Sequence, residues 1–170
     1  GNIDTDGRQP YDREPSLLSD QYYLSDEVAP MNMKAVDYAR NYGKFWEGFS
    51  LNKFMEVMAV LETDPQQKMN HMSFGQLKKT YIAFALACNT KYLYMDEPTN
   101  GLDPAGIKEL RDVLKTLSRE QGVAVFVSSH MLSELQLMCD RVGIIDRGVT
   151  VGYRSLDADG MIEEDEAAHY

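Results

Sequence analysis

Cysteine is scarce in this chain, with two in 170 residues, and that scarcity excludes a disulfide-built secreted scaffold. Cys88 and Cys139 stand in apolar helical surroundings without metal-ligand spacing, so two buried, reduced thiols are expected. No apolar run reaches the roughly 20 residues that a membrane-spanning helix needs, and no secretory leader pattern appears. Direct membrane insertion is therefore not expected, and any membrane contact would pass through a partner. Positive charge is also short. The 17 Lys and Arg against 27 Asp and Glu leave a net charge of −10, which argues against electrostatic binding of nucleic acid or an anionic membrane surface. Internal repeats and low-complexity segments are missing. So is the phosphate-cradling loop Gly-x-x-x-x-Gly-Lys-Ser/Thr. What is present, 44% hydrophobic and 26% charged residues, suffices for one sizeable core and a small second lobe of a soluble, cytoplasmic chain.

The most informative stretch runs from Tyr92 to Pro104, Tyr-Leu-Tyr-Met-Asp-Glu-Pro-Thr-Asn-Gly-Leu-Asp-Pro. Up to Met95 it reads as a buried parallel strand, and it stops at two adjacent carboxylates. Ligands sit at the carboxyl ends of such strands. There an acid pair can hold Mg²⁺ through water with Asp96 and orient an attacking water with Glu97. Taken alone, the pair is equally a strand end with two solvated acids before a turn.

Upstream, Met72-Ser73-Phe74-Gly75-Gln76 precedes an apolar helical run through Tyr81, Ile82, Leu86 and Ala87. Ser73 and Gln76 have capping-box spacing, which marks an ordinary helix start. The same geometry, with exposed amides, the positive helix end, a hydroxyl and a close-approach glycine, also makes a phosphate site. Downstream, Val123–Val127 predicts a second strand ending at Ser128, Ser129 and His130. The stretch from Asp96 to His130 accommodates a loop, a helix and a strand, so a right-handed crossover would bring both residues to one sheet edge. A histidine there can donate to a terminal phosphate.

With these segments in view, the chain resembles the nucleotide-binding domain of the ATP-binding cassette (ABC) transporter family over nearly its whole length. Met72 to Gln76 is similar to the family signature, Tyr92 to Glu97 to its Walker B strand, Gly101-Leu102-Asp103 to its D-loop and His130 to its switch histidine. The resemblance implies an ATP-hydrolysing subunit that uses ATP and Mg²⁺. Asp96 would serve the metal and Glu97 would act as the base. Ser73, Gly75 and Gln76 would hold the γ-phosphate of ATP bound to a second nucleotide-binding subunit. His130 would touch the γ-phosphate of its own subunit, and Asp103 would cross the dimer interface. The other partner implied is a transmembrane transporter subunit, which would place the chain peripherally on the inner face of the cell membrane.

The chain departs from the family pattern in three places. Phe74 stands where the signature usually has glycine, at a position where the family varies. Pro15 to Leu24 resembles the strand and Q-loop. Counting back from Leu24 puts Asp20 at the metal-sensing glutamine's position, with Gln21 one beyond; an aspartate has the shorter reach. The phosphate loop is absent, while Gly1 to Gly7 resembles the hairpin that follows it. The expected fold is therefore α/β: a P-loop NTPase-like, RecA-like parallel sheet core, truncated at its N-terminus, with a small helical subdomain. In that division residues 1–24 are a hairpin and Q-loop strand, 25–75 the helical subdomain, 76–156 the core and 157–170 an acidic tail.

Helical spacing from Met31 to Leu61 gathers Tyr38, Tyr42, Phe45, Trp46, Phe49 and Phe54, a pattern of plain core. The segment also occupies the position of the family's groove for a coupling helix of the membrane subunit. Asp103-Pro104 predicts a helix start. Val142–Ile145 and Val149–Tyr153 predict an edge hairpin. By the resemblance, a missing strand would leave a gap between Val123–Val127 and Val142–Ile145, so the latter is expected to shift and close it, unless another copy's strand does. Long coiled-coil chromosome-maintenance ATPases do not fit the roughly fifty intervening residues, which lack a sustained heptad pattern. A non-catalytic interaction module derived from an ABC ATPase stays open as the alternative.

Overall fold

A computed structural model describes residues 5, 7–9 and 14–156. Most of the expected hairpin at Gly1–Gly7 and all of the acidic tail 157–170 lie outside the described residues. The chain divides into two compact units, Gly1–Ser128 and Ser129–Tyr170. The helical segment 25–75 therefore belongs to the same unit as the strands on either side of it, not to a separate one.

The first unit is built on three parallel strands in the order β1 (Gln21–Leu24), β2 (Tyr92–Asp96) and β3 (Ala124–Ser128). The expected parallel pairing of Tyr92–Met95 with Val123–Val127 is present. Period-two alternation buries Leu93 and Met95 on one face of β2 and leaves Tyr92, Tyr94 and Asp96 half-buried on the other. On that second face Tyr23, Tyr94 and Phe126 are in register, and the Tyr94 and Phe126 rings stack at 5.1 Å. Parallel strands need crossovers. The short helix α1 (Pro15–Ser19) leads into β1, and α2 (Ala35–Gly43), α3 (Leu51–Val60) and α4 (Phe74–Ala87) connect β1 to β2. A single helix, α5 (Pro104–Gln121), connects β2 to β3.

The helical pattern over Met31–Leu61 resolves into two helices because the chain turns between Gly43 and Ser50. A Cβ on Gly43 would stand 2.3 Å from the Phe49 ring, so only glycine lets the turn close that tightly. The aromatic cluster is core as the spacing predicts, except for Phe45, which is exposed in the turn after α2. Phe84 of α4 sits at its hub, with ring centroids of Tyr22, Tyr38, Trp46 and Phe49 at 5.8, 4.9, 5.7 and 5.4 Å. Burial raises the Tyr22 and Tyr38 phenols and the Cys88 thiol well above their ordinary values, keeping all three neutral. Cys139, expected to be buried, is only half-buried. In α5, Asp103 and Pro104 form the expected start: Asp103 Oδ1 accepts from the Gly106 amide at 3.0 Å, and Leu110, Leu114 and Leu117 form the buried stripe. Gly122, at φ +66°, ends the helix.

The second unit holds α6 (Leu132–Met138) and an antiparallel hairpin of β4 (Arg141–Asp146) and β5 (Val149–Ser155). The Val142–Ile145 segment does not join the three-stranded sheet, which corrects the expectation that it would shift into a gap beside Val123–Val127. Its preference is local. Arg147 and Gly148, at φ +47° and +79°, make a two-residue turn whose twist matches a hairpin, and the loop to be closed is short.

The hub position of Phe84 sets a stability contrast. Phe84→Ala should cost about 3–5 kcal/mol, whereas Phe45→Ala, at a side chain 67% exposed, should stay within about 1 kcal/mol. Urea unfolding monitored by far-UV dichroism measures both, and equal losses would contradict this core.

Candidate functional site

The carboxyl ends of β1 and β2 meet the start of α4 at one edge of the first unit. Asp96 closes β2 directly opposite Ser128, which donates its hydroxyl to Asp96 Oδ1, while Tyr23 Oη donates to Oδ2 at 3.4 Å. Both carboxylate oxygens thus carry a hydroxyl donor and remain acceptors, since each has a second lone pair. Glu97 follows at φ +43°, a left-handed conformation that costs a non-glycine residue about 1–2 kcal/mol. Its amide donates to Ser128 O at 3.0 Å and its carbonyl accepts from the Asn100 amide at 3.1 Å. The backbone is therefore held in this costly turn from both sides.

Ser73 is the N-cap of α4 with the complete capping box expected from its spacing. Its hydroxyl accepts from Gln76 N at 3.2 Å, and Gln76 Oε1 accepts from Ser73 N at 2.9 Å. Ser73 and Phe74 are exposed, as a helix start that serves a ligand from outside requires. Phe74 and Gly75, between Ser73 and Gln76, have a second task. A Cβ on Gly75 would stand 2.7 Å from the Gly101 carbonyl oxygen, and one on Gly101, at φ +77°, would stand 2.2 Å from the Phe74 ring. The signature-like turn and the D-loop-like turn therefore pack on each other within one chain. Phe74, which departs from the usual glycine, is the lid over Gly101.

The structure brings Ser73, Gly75 and Gln76 together with the segment carrying Asp96, Glu97 and Asp103. It does not bring Asp20 and Gln21 there. By strand register Gln21 pairs with Tyr92 and Leu24 with Met95, so Asp96 is level with Ser25. Asp20 lies five residues back along the strand, roughly 16 Å at about 3.3 Å per residue. Asp20 is an N-terminal-edge anchor: Lys91 Nζ donates to it at 3.0 Å and Arg8 at 3.3 Å, and these cations hold its carboxyl below the usual range. The Gln21 carbonyl accepts from Trp46 Nε1 at 3.4 Å. Expecting a metal role for either residue is thus corrected by the direction of β1. The acid that does stand past the carboxyl end of β1 is Asp26. Its signal was in the sequence: Tyr22-Tyr23-Leu24 runs into Ser25-Asp26-Glu27 much as Leu93-Tyr94-Met95 runs into Asp96-Glu97.

His130 falls in the second unit, two residues past the end of β3. There Ser129 Oγ accepts the Met131 amide at 3.1 Å as the chain turns into α6.

Oxygen donors of this kind suit Mg²⁺, which keeps several waters and takes one or two carboxylates. Among the described residues no group of three or more His, Cys, Asp or Glu forms a closed metal cage. The donor chemistry of Asp96, a strand-end carboxylate that still has accepting lone pairs, is of the type a hydrated Mg²⁺ takes.

A family model described as "AAA domain, putative AbiEii toxin, Type IV TA system" matches residues 40–135, more than half of the chain. An uncharacterized ABC transporter ATP-binding protein, YhcH of Bacillus subtilis strain 168, is 39% identical over 128 residues, 74% of this chain and 42% of that protein. The chain belongs to the ATP-binding cassette family of ATPase domains. The bacitracin transport ATP-binding protein BcrA of Bacillus licheniformis is 38% identical over 99 residues, 58% of this chain and 32% of that protein. The chain thus spans less than half the length of these curated relatives. Among solved structures, a dimeric ATP-binding cassette in a post-hydrolysis state with ADP and Pi superposes with a TM-score of 0.76 at 21% identity, over 93% of this chain and 74% of that one. An ATP-binding subunit of an ABC transporter gives 0.75 at 21% identity, over 92% and 68%. The fold is accordingly the P-loop NTPase core of an ABC cassette. The Asp96-Glu97 strand end and the Ser73 helix start are the segments of this chain that resemble that family's Walker B and signature motifs.

The contact between Gly101 and Phe74 is open to test. Gly101→Ala meets both left-handed strain and the ring, and should cost about 2–4 kcal/mol. Gly122→Ala, with open space around its Cβ, should pay only the strain, about 1–2 kcal/mol. Adding Phe74→Ala to Gly101→Ala should recover the excess, a non-additivity read by urea unfolding. Simple additivity would remove the ring from this account.

Proposed function

We propose that the chain is part of an ATP-hydrolysing subunit of an ABC transporter, in which ATP draws two such subunits together and a transmembrane subunit converts that closure into transport. The single observation that carries the reading is the Asp96-Glu97 pair at the carboxyl end of the central parallel strand. Asp96 holds the Mg²⁺ side of the site. Bound Mg²⁺ would neutralise charge on the phosphate oxygens. Glu97 accepts a proton from the attacking water as that water's oxygen bonds to the γ-phosphorus and the bond to the bridging oxygen of ADP breaks. Ser73, Gly75 and Gln76 offer the start of α4 to the γ-phosphate held by the second subunit, and Asp103 lies across that interface. His130 donates to the γ-phosphate of its own subunit. Location on the cytoplasmic face of the cell membrane, through the transmembrane partner, belongs to the same proposal. No helix among the described residues is long and apolar enough to cross a membrane.

Two measurements bear on this reading. In a protein that joins these residues to a phosphate loop, Glu97→Gln should retain ATP binding and lower turnover by roughly 10²–10⁴-fold; unchanged turnover would take Glu97 out of the role. The 170 residues alone contain no Gly-x-x-x-x-Gly-Lys-Ser/Thr, whose amides and lysine supply most phosphate contacts. Calorimetry with Mg-ATP on this chain should therefore give a Kd above about 1 mM. A micromolar value would overturn the assignment of nucleotide binding to that loop.

A further inference from the structure

Lys78 lies one turn into α4 and its side chain has 0% exposure. A lysine ammonium has three donors, and a buried one is tolerable only if all three are met. Here they are met by Asp26 O at 2.9 Å, Asp26 Oδ1 at 3.1 Å and Ser25 O at 3.4 Å. All three acceptors come from the loop that leaves β1 at the site's edge. Asp26 Oδ1 also accepts from Asn100 Nδ2 at 3.3 Å, in the turn that follows Glu97. Asn100 precedes Gly101, on which Phe74 and Gly75 already rest. Three segments therefore converge: the exit of β1, the first turns of α4 and the 98–101 turn. Lys78 and Asn100 both engage Oδ1, and the Asp26 side chain is 40% exposed.

We propose that Lys78 is a positioning residue: its buried ammonium fixes the Ser25-Asp26 loop and, through Asp26 and Asn100, the turn after Glu97 against the signature helix. The proposal rests on the reading of this edge as the nucleotide site. Lys78 touches no reacting atom. It links the surface offered to a second subunit's phosphate, at Ser73–Gln76, to the acids that serve the chain's own phosphate. Asp26, held by two donors on one oxygen, is thereby kept at the carboxyl edge with a fixed orientation.

The test uses the 170-residue chain without nucleotide, so its outcome is independent of whether ATP is the ligand. Amide hydrogen exchange is measured on wild type, Lys78→Met and Lys78→Arg. In Lys78→Met, amides of Ser25–Glu27 and of Thr99–Gly101 should exchange on the order of 10- to 100-fold faster, while the buried end of α4, Ile82–Ala87, stays protected. Lys78→Arg, which keeps the cation, should restore most of the protection. A carboxyl titration of Asp26 by NMR supplies a readout that simple packing would not move. The Lys78 ammonium, by hydrogen bonding, holds this carboxyl below its ordinary value, with Asn100 adding to the effect, so Lys78→Met should shift its titration upward. If Lys78→Met does not fold, Asp26→Asn, at the exposed partner, should loosen the same two segments. Protection unchanged in both segments, or lost evenly across α4, would overturn the proposal. Failure of Glu97→Gln to affect turnover, with the exchange pattern intact, would instead leave Lys78 as a positioning residue and reject the catalytic reading of the edge.

Discussion

The parallel pairing of β2 between β1 and β3 is the constraint on which the rest of the first unit depends. A central parallel strand is hydrogen-bonded on both sides, so its register cannot slip without inverting every side chain on it. With Leu93 and Met95 fixed inward, the other face holds Asp96. The strand then ends where Ser128 stands opposite. The hydroxyl donors on Asp96 come from the two neighbouring strands, Tyr23 from β1 and Ser128 from β3. Neither is close to Asp96 in sequence, so the acid owes its surroundings to pairing alone. The turn at Glu97 follows from the same register, because its amide takes the Ser128 carbonyl as the next hydrogen bond of the β2–β3 ladder. The residue adopts a positive φ at that point, and backbone strain of this kind persists only where its surroundings over-determine it.

The start of α4 is structurally complete without a ligand. Ser73 and Gln76 close a capping box on each other, which satisfies two orphan groups without any ligand. The remaining first-turn amides and the helix dipole still point outward. Immediately beside this open end, Gly75 and Phe74 are packed against Gly101. The small residue typical of such signatures is thus explained first by the backbone's close approach inside the chain, where a Cβ on Gly75 would stand 2.7 Å from the Gly101 carbonyl oxygen, before any phosphate is invoked. A displacement at Ser73–Gln76 cannot leave the Gly101 turn untouched, since neither side has room for another atom.

The sequence made the strands, the capping box, the Asp103 start of α5 and the aromatic core legible, because each is written in spacing that a single element reads: period two, Ser to Gln at three, Asp-Pro, three-to-four recurrence. What it hid depends on contacts between elements distant in sequence. Asp20 was misplaced because motif counting ran backward from Leu24 while the strand runs forward to its carboxyl end. The repeated pattern of an apolar run closing in an acid pair, at Asp26-Glu27 as at Asp96-Glu97, was the better guide. Lys78 offered no signal, since a lysine at that position reads as a solvated helix face until the loop carrying Asp26 is folded over it. The β4–β5 hairpin was placed correctly as a hairpin. Its membership in the main sheet was an inference from the resemblance, and the local Arg147-Gly148 turn decided otherwise.

Burying Lys78 is not an economical way to stabilise a fold. Removing an ammonium from water costs several kcal/mol even after relaxation, and well-packed apolar replacements of buried ion pairs are often as stable or more so. The three oxygens around its nitrogen offset that cost without making the arrangement superior in free energy to a methionine in the same space. What an apolar side chain cannot do is fix direction. Dispersion contacts tolerate sliding of a loop over a helix by a few tenths of an ångström, whereas an ammonium held by two backbone carbonyls and a carboxylate has its acceptors set in angle and distance. The loop in question carries Asp26, whose other hydrogen bond reaches the turn that follows Glu97. The gain from this buried charge is therefore in the relative orientation of acids at the site's edge, and the rest of the unit supplies the stability that allows it.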